Sequence, residues 1–425
     1  MSDPGTQGPA GPLASMRQTL ADGVERLRLL AHLSSETRQE ATLERDGGHP
    51  VDVAHGPHLD AALDWLTRAQ DAVGGSGIAR GYSLVWSPYF HVRGWQPAYP
   101  ETTGYIIPTL FLAARELDRP ELAHRARRAA TWEIAVQLPS GAVQGGVIGQ
   151  GHRPAVFNTG QVIFGWLCAA EETGSAAYAD AARRAGNYLL SARAPDGLWH
   201  KDSPFALPSA TLYNARTAWA LAEAGRRLKA PAFVDAAAAA LRAVAARQHP
   251  NGWLPDCCLT EPTRPLLHTI AYALRGLLEG GRVLDDPGLI ASAELGADEI
   301  AATIAPDGRL AGRFASDWAP AVTWSCLTGA AQMAGVWLRL AEITGERRWL
   351  EPAGAAIHFL KSTQNRVSGD GGLRGGIRGS FPLDGPYGRY EVLSWATKFF
   401  ADALLRHARL TGEGHAGASC AADLA

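Results

Sequence analysis

The stretches RAPDGLW at 193–199, QHPNGWL at 248–254 and APDGRL at 305–310 share one layout, a short polar turn around a Gly at the end of an amphipathic run. Working outward, the same signature occurs earlier as AQDAVGGSG at 69–77 and QLPSGAV at 137–143, and later as TQNRVSGDGG at 363–372. Taken at Gly77, Gly141, Gly197, Gly252, Gly308 and Gly371, the turns recur every 55 to 64 residues, a period that suits helical hairpins. Ahead of each turn lies a helical pattern with one apolar stripe, as in AYADAARRAGNYLLSAR (177–193) and AFVDAAAAALRAVAARQ (232–248). After each turn comes a looser stretch and then a second helix, apolar around most of its circumference: ETTGYIIPTLFLAAREL (101–117), NTGQVIFGWLCAAEETG (158–174), YNARTAWALAEAG (213–225), HTIAYALRGLLEGG (268–281), SCLTGAAQMAGVWLRLAEITG (325–345) and YEVLSWATKFFADALLRHARLTG (390–412). Stripe-bearing helices belong outside and all-apolar ones inside. Six such pairs can close on themselves so that no apolar face is left bare, and the expected fold is an all-α (α/α)6 toroid over residues 57–411. The rival arrangement, a linear solenoid, calls for more polar hairpins at its two ends.

Residues 1–56 stand outside the repeat as an extension, with one helix expected within MRQTLADGVERLRLLAHLSSETRQEAT (16–42), and 412–425 read as a disordered tail. The 425 residues are 46% hydrophobic and 19% charged, ample for a large core, and the formal charge of −2 gives no general attraction to nucleic acid or anionic lipid. Five cysteines are too few and unevenly numbered for a disulfide framework, and neither a signal peptide nor a span of about 18 apolar residues is evident. A soluble cytoplasmic protein is expected.

In such a ring the starts of the inner helices converge on one mouth, together with the loops before them. Polar side chains are concentrated there: Glu101 and Tyr105, Asn158 and Gln161, Tyr213, Asn214 and Arg216, His268 and Tyr272, Thr328 and Gln332, Tyr390 and Glu391. Each has a bland role open to it, since Asn caps helices and a first-turn Glu suits the helix dipole. Their accumulation on six successive helices points instead to a ligand site. The preceding loops carry aromatic residues, among them Tyr82, Trp86, Tyr89, Phe90, Trp95, Tyr99, Trp253, Trp318, Trp324, Phe381 and Tyr387, which can stack on sugar rings or an isoprenoid, or simply staple loops to helices. His268 is the one histidine at an inner-helix start and the first candidate for acid–base work. Cys257, Cys258, His268 and Cys326 could supply zinc ligands across neighbouring repeats, but their spacing matches no standard zinc motif, and neither a metal nor a cofactor is expected. GGLRGGIRGSFPLDG (371–385) reads as a close-packed lid loop, not a phosphate cradle.

The turn signatures, together with YPETTGYIIPTLFLAA, FNTGQVIFGW, YNARTAWAL, HTIAYALRGLLE, WSCLTGAAQMAGVWLRL and GGIRGSFPLDGPYGRYEVLSWATKFFADALL, resemble bacterial prenyltransferase and squalene-oxidase repeat proteins over about residues 57–410. The resemblance implies the toroid and an association with polysaccharide assembly; toroids of similar design include terpenoid cyclases, protein prenyltransferases, sugar epimerases, unsaturated-uronyl hydrolases and polysaccharide lyases. A squalene-type cyclase needs D-x-D-D, and LDDP at 284–287 lacks the first acid. Proton removal beside a uronate carboxylate needs a Tyr or His base and groups that neutralise developing charge. For a lyase or epimerase acting on a sugar or oligosaccharide, Tyr213 or Tyr390 and His268 are the expected base and acid, with Asn158, Asn214, Arg216 and Gln332 on the carboxylate. For a hydrolase, Glu101, Asp317 and Glu391 are the candidate acids, and Tyr105, Tyr272 and Trp318 complete the expected binding surface. An isoprenoid cyclase or transferase with an unusual acid, and a non-catalytic toroid that binds a glycan or a protein, are the alternatives.

Overall fold

The computed structural model describes residues 33–209 and 211–412. In chain order the helices are α1 (Ser35–Arg45), α2 (Gly56–Asp71), α3 (Pro100–Glu116), α4 (Pro120–Val136), α5 (Val156–Thr173), α6 (Ala176–Ala192), α7 (Ala215–Arg227), α8 (Pro231–Ala245), α9 (Leu267–Leu284), α10 (Pro287–Ala301), α11 (Leu327–Thr344), α12 (Leu350–Thr363) and α13 (Ser394–Thr411). Helices α2, α4, α8 and α10 start with Pro in the first turn, where its fixed φ is preset for a helix and its missing N–H is not needed.

The two helix types differ in burial as their patterns predict. In α5 every residue from Asn158 to Ala169 is buried, whereas α6 buries one stripe through Ala181, Ala185 and Leu189. The odd helices α3, α5, α7, α9, α11 and α13 contact one another in sequence around an inner ring, and α13 also contacts α3. Of its outer neighbours, each inner helix from α3 to α11 packs most on the one that follows it, joined by a short turn, so the tight hairpins run inner to outer. The long, site-bearing loops run outer to inner. Among the described residues no helix follows α13, and it packs instead on α2, which closes the (α/α)6 toroid.

The recurrent Q-x-x-x-G signature is a clasp between neighbouring outer helices. Gln137 Nε2 donates to the carbonyls of Gly141 (2.9 Å) in its own turn and Ala181 (3.0 Å) in α6. Gln248 does the same to Gly252 and Ser292, both at 2.9 Å. At the seam Gln364 donates to Gly375 (2.7 Å) and to His58 of α2 (3.1 Å), carrying the pattern across the join. Turn glycines sit against the next outer helix. A Cβ on Gly308 (φ +86°) would lie 2.2 Å from the Ala355 carbonyl, and one on Gly375 (φ +90°) 2.1 Å from that of Ala61, so no side chain fits. In the last turn it is Gly375 rather than Gly371 that fills this place, and in the first turn Gly74 and Gly75 rather than Gly77 take positive φ.

Short strands cross the mouth of the helical ring. β1 (Gly81–Ser87), β2 (Val92–Trp95), β6 (Ile377–Arg378) and β8 (Glu391–Leu393) form one sheet in the order β2-β1-β8-β6, with Gly81 opposite Leu393 and Ser83 opposite Glu391. Two-stranded ladders pair β3 (Val143–Gln144) with β4 (Pro154–Ala155), and β5 (Ser325–Cys326) with β7 (Ser380–Phe381). α1 lies over this region. Its Glu40 and Glu44 flank buried Arg378, Glu40 also meets His49 (2.7 Å) and Asn365 (2.7 Å), and Glu44 accepts the Leu383 N–H at 2.9 Å. The earlier part of the N-terminal helix reading, 16–32, and the tail at 413–425 with Cys420 lie outside the described residues. Among those described, no helix is long and apolar enough to cross a membrane.

Candidate active site

The inner-helix starts and their loops enclose two connected chambers of about 90 and 440 Å³. Tyr99, Glu101, Phe205, Leu259, His268 and Tyr272 line both. Phe157, Asn158, Asp202 and Tyr213 complete the smaller chamber, and Arg80, Tyr89, Tyr387, Glu391 and Trp395 the larger.

Glu101 stands in the first turn of α3. The Tyr99 hydroxyl donates to its Oε2 at 2.5 Å, and burial raises its pKa to about 7, against the opposing pull of Tyr99, Arg80 and Arg216. The carboxyl is therefore poised to hold or release a proton near neutral pH. Tyr99, its own ionisation pushed far up by burial, also receives a long contact from Asn158 Nδ2 (3.5 Å), which donates at 2.9 Å to the Gln144 carbonyl.

His268 faces the same space from α9, three places round the ring from α3. Its Nδ1 lies 2.7 Å from Gln332 Oε1; an amide oxygen only accepts, so Nδ1 carries the hydrogen and Nε2 keeps its lone pair. Burial lowers the imidazole pKa to about 4 and leaves the ring neutral at pH 7. Tyr272 and Tyr387 flank it with ring centroids at 4.5 and 5.5 Å, and Trp395 Nε1 donates to the Tyr387 hydroxyl at 2.8 Å. Glu391, on β8, is held by Arg80 (3.0 Å) and Gln96 (2.7 Å). Arg80 in turn stacks on Phe90 and Trp395. Asp202 accepts from the Tyr188 hydroxyl at 2.9 Å.

Of the residues expected at the mouth, Glu101, Asn158, Tyr213, His268, Tyr272 and Glu391 line these chambers. Tyr105, Arg216 and Gln332 lie deeper. Tyr105 is buried beside Tyr272, and Arg216 is enclosed by Phe164, Trp219, Tyr272 and Phe399, its Nε donating to Gln161 at 2.7 Å. Asn214 bonds Thr217 at 3.2 Å through Oδ1 and is not among the lining residues. Tyr390 is buried one residue before β8 at φ +56° and is not among them either. Asp317 and Trp318 belong to a staple elsewhere, where Trp318 packs on Trp253 and donates to the Asn251 carbonyl at 2.7 Å.

Each of the three thiols weighed as zinc ligands makes a local contact. Cys257 donates to the Thr269 carbonyl (3.3 Å), Cys258 lies 3.8 Å from Arg313, and Cys326 accepts the Gly329 N–H (3.4 Å) at the start of α11. Among the described residues no three His, Cys, Asp or Glu side chains are gathered to hold a metal. Sequence reasoning passed over Arg80, Asp202 and Phe205, and took Tyr99 and Tyr387 only as loop aromatics. Tyr99 carried a signal in its place immediately before the Pro-Glu that opens α3; Arg80 carried none, because its position follows from β1 pairing with distant β8.

Fold and cavity define a toroid with a buried carboxyl and a neutral imidazole facing one cavity at its mouth. By sequence the chain matches no protein-family model and no curated protein. By structure it is similar to an unsaturated glucuronyl hydrolase from Bacillus sp. GL1 (TM-score 0.66, 15% identity, 83% of this chain and 96% of that one). It is also similar to an unsaturated glucuronyl hydrolase specific for heparin (TM-score 0.63, 16% identity, 84% and 97%) and to a D-mannose isomerase (TM-score 0.64, 12% identity, 84% and 97%). At these identities the likeness is one of fold.

Proposed function

We propose that this chain is a carbohydrate-active enzyme of the isomerase or epimerase kind. It would move a proton at the carbon beside the carbonyl of an opened sugar. The reading rests on one observation above the rest: a carboxyl poised near pH 7, Glu101, and a neutral imidazole with a free Nε2, His268, face one aromatic-walled chamber from opposite inner helices. His268 Nε2 takes the proton from carbon as protonated Glu101 donates to the carbonyl oxygen, giving a neutral enediol. Imidazolium then returns its proton to carbon while an enediol hydroxyl gives its proton back to the Glu101 carboxylate and becomes the carbonyl, which restores both groups (the neighbouring hydroxyl in an isomerisation, the same one in an epimerisation). Asn158 and Tyr272 hold the hydroxyls, and Tyr387 and Trp395 offer apolar faces to the ring carbons.

A neutral sugar suits the cavity better than a uronate. Among the residues lining the chambers the cation is Arg80, already engaged by Glu391 and Gln96, while Arg216, expected to hold a carboxylate, lies below the floor. The D-mannose isomerase similarity agrees with this choice. A second reading, hydrolysis or hydration with Glu101 as acid, is favoured by Asp202 in the same wall and by the glucuronyl hydrolase neighbours.

Incubation with mannose and other aldoses in heavy water, followed by NMR, tests the proposal. Deuterium at the carbon next to the carbonyl, lost in His268→Ala and Glu101→Gln, is the expected result. Absence of exchange, with loss of the absorbance of an unsaturated uronyl disaccharide, would replace it with the second reading.

A further inference from the structure

We propose that a small cavity between the inner helices α7, α9, α11 and α13, below the candidate active site, is a binding site for a single halide ion. It is lined by Arg216 of α7, Ala271 and Arg275 of α9, Gln332 and Gly335 of α11, and Phe399, Asp402 and Arg406 of α13, and it shares no lining residue with the chambers above. Its volume of about 20 Å³ takes one water-sized particle and excludes a carboxylate or phosphate.

The ligand class follows from the charges. Arg216 is 1% exposed, its Nε is spent on a neutral amide, and its Nη2 has no hydrogen-bond partner. The carboxylates of this layer are committed elsewhere. Asp402 accepts from Thr109 (2.7 Å) through one oxygen and from Lys398 (2.6 Å) through the other. Glu279 is gripped by Arg275 (2.8 Å), Arg282 (3.0 Å) and Arg339 (2.6 Å), and Glu342 by Arg339 and Arg406. Arg216, by contrast, has no carboxylate within ion-pair distance among the described residues, so its buried charge is left in excess. Water would satisfy the Arg216 donor but not this excess charge; a monatomic anion does both. Burial pulls the Lys398 pKa to about 8 and that of Arg275 to about 9, the direction expected for crowded, desolvated cations that an anion would relieve. Chloride is the halide a cell supplies. Bound there it ties α7, α9, α11 and α13 together beneath Gln332, the residue that orients His268.

Gly335→Ala supplies a test that keeps the fold. The added methyl meets only Arg275 Nη1, at 3.5 Å, an ordinary contact, and it occupies the cavity while favouring the helix. In the parent protein, replacing gluconate by chloride at constant ionic strength should raise Tm saturably by roughly 2 °C. Crystals grown in bromide should show an anomalous peak beside Arg216 Nη2. In Gly335→Ala both responses should vanish; an Arg216→Gln protein, if it folds, should lose them too. Absence of the anomalous peak overturns the proposal, as does a peak with no chloride dependence of Tm, which would mark an adventitious ion only. A chloride effect that persists unchanged in Gly335→Ala overturns it as well.

Discussion

Glu101 is the residue whose environment makes the sharpest statement about chemistry. Its pKa near 7 reflects burial partly offset by the Tyr99 hydrogen bond, which favours the carboxylate. Acting as an acid it must be protonated, so turnover should fall as pH rises through about 7. Tyr99→Phe removes a group that stabilises the charged form and should move that limb to higher pH, while Glu101→Gln should cost on the order of 10²–10⁴ in kcat and abolish the limb; pH–rate profiles of the three proteins check this. Glu133 makes a complementary prediction about stability. It is fully buried in α4 with neither carboxyl oxygen hydrogen-bonded, and burial holds its pKa well above normal. The unfolded chain ionises near 4.5 while the folded one keeps its proton, so stability falls as pH rises above that value until the folded group also ionises. Glu133→Leu should stabilise by about 1–3 kcal/mol, and by more at pH 8 than at pH 4, as measured by urea unfolding at both. At this scale Glu101, Asn158 and His268 were legible because each stands in the first turn of an inner helix, and Tyr272 because it lies one turn below His268 on the same face. It placed Arg216 too high for a physical reason: the single turn Leu212–Asn214 runs straight into α7, so Arg216 is the fifth residue of one helical run and projects below the floor. Gln332, the sixth residue of α11, is deep by the same 1.5 Å rise per residue.

Between residues and the whole ring stand the clasps and the α1 latch. A glutamine that bridges two carbonyls explains why Gln recurs four residues before a turn Gly, a spacing plain in the sequence whose purpose only the neighbouring helix supplies. Gln248→Ala should strand the Gly252 and Ser292 carbonyls and cost about 1–3 kcal/mol in chemical denaturation, with Gln248→Glu no remedy because a carboxylate cannot donate. The latch is more demanding. Arg378 is 1% exposed between Glu40 and Glu44, so Arg378→Met leaves two buried carboxylates without their cation. A loss of about 3–5 kcal/mol is expected, with α1 gaining hydrogen exchange before the inner helices do. The strands at the mouth were not legible as such: two- to seven-residue segments are too short to show a period, β1 finds its partner β8 only about 300 residues away, and the Gly-rich loops read simply as a lid.

For the molecule as a whole, closure is the property with consequences. In an open solenoid each end hairpin lacks a neighbour, so terminal units fray at low free energy while the middle persists. Here α13 packs on both α2 and α3, Gln364 spans the seam, and His58 Nδ1 lies 2.6 Å from Gln364 Oε1, so the first and last repeats are held as the inner ones are. The repeat pattern forecast the ring, since six equal hairpins with no polar cap call for closure, but it could not show that the last inner helix borrows its outer partner from the start of the toroid. Native-state hydrogen exchange should therefore find α3 and α13 as protected as α7 and α9, with one calorimetric transition for the ring. Gln364→Ala cuts two buried donations at the join and should lower the protection of α2 and α13 first, turning the ring into the solenoid it avoids being. Equal loss in all six inner helices would mean that the ring opens only by global unfolding, whereas fraying of α3 and α13 already in the parent protein would show that the seam contributes no closure.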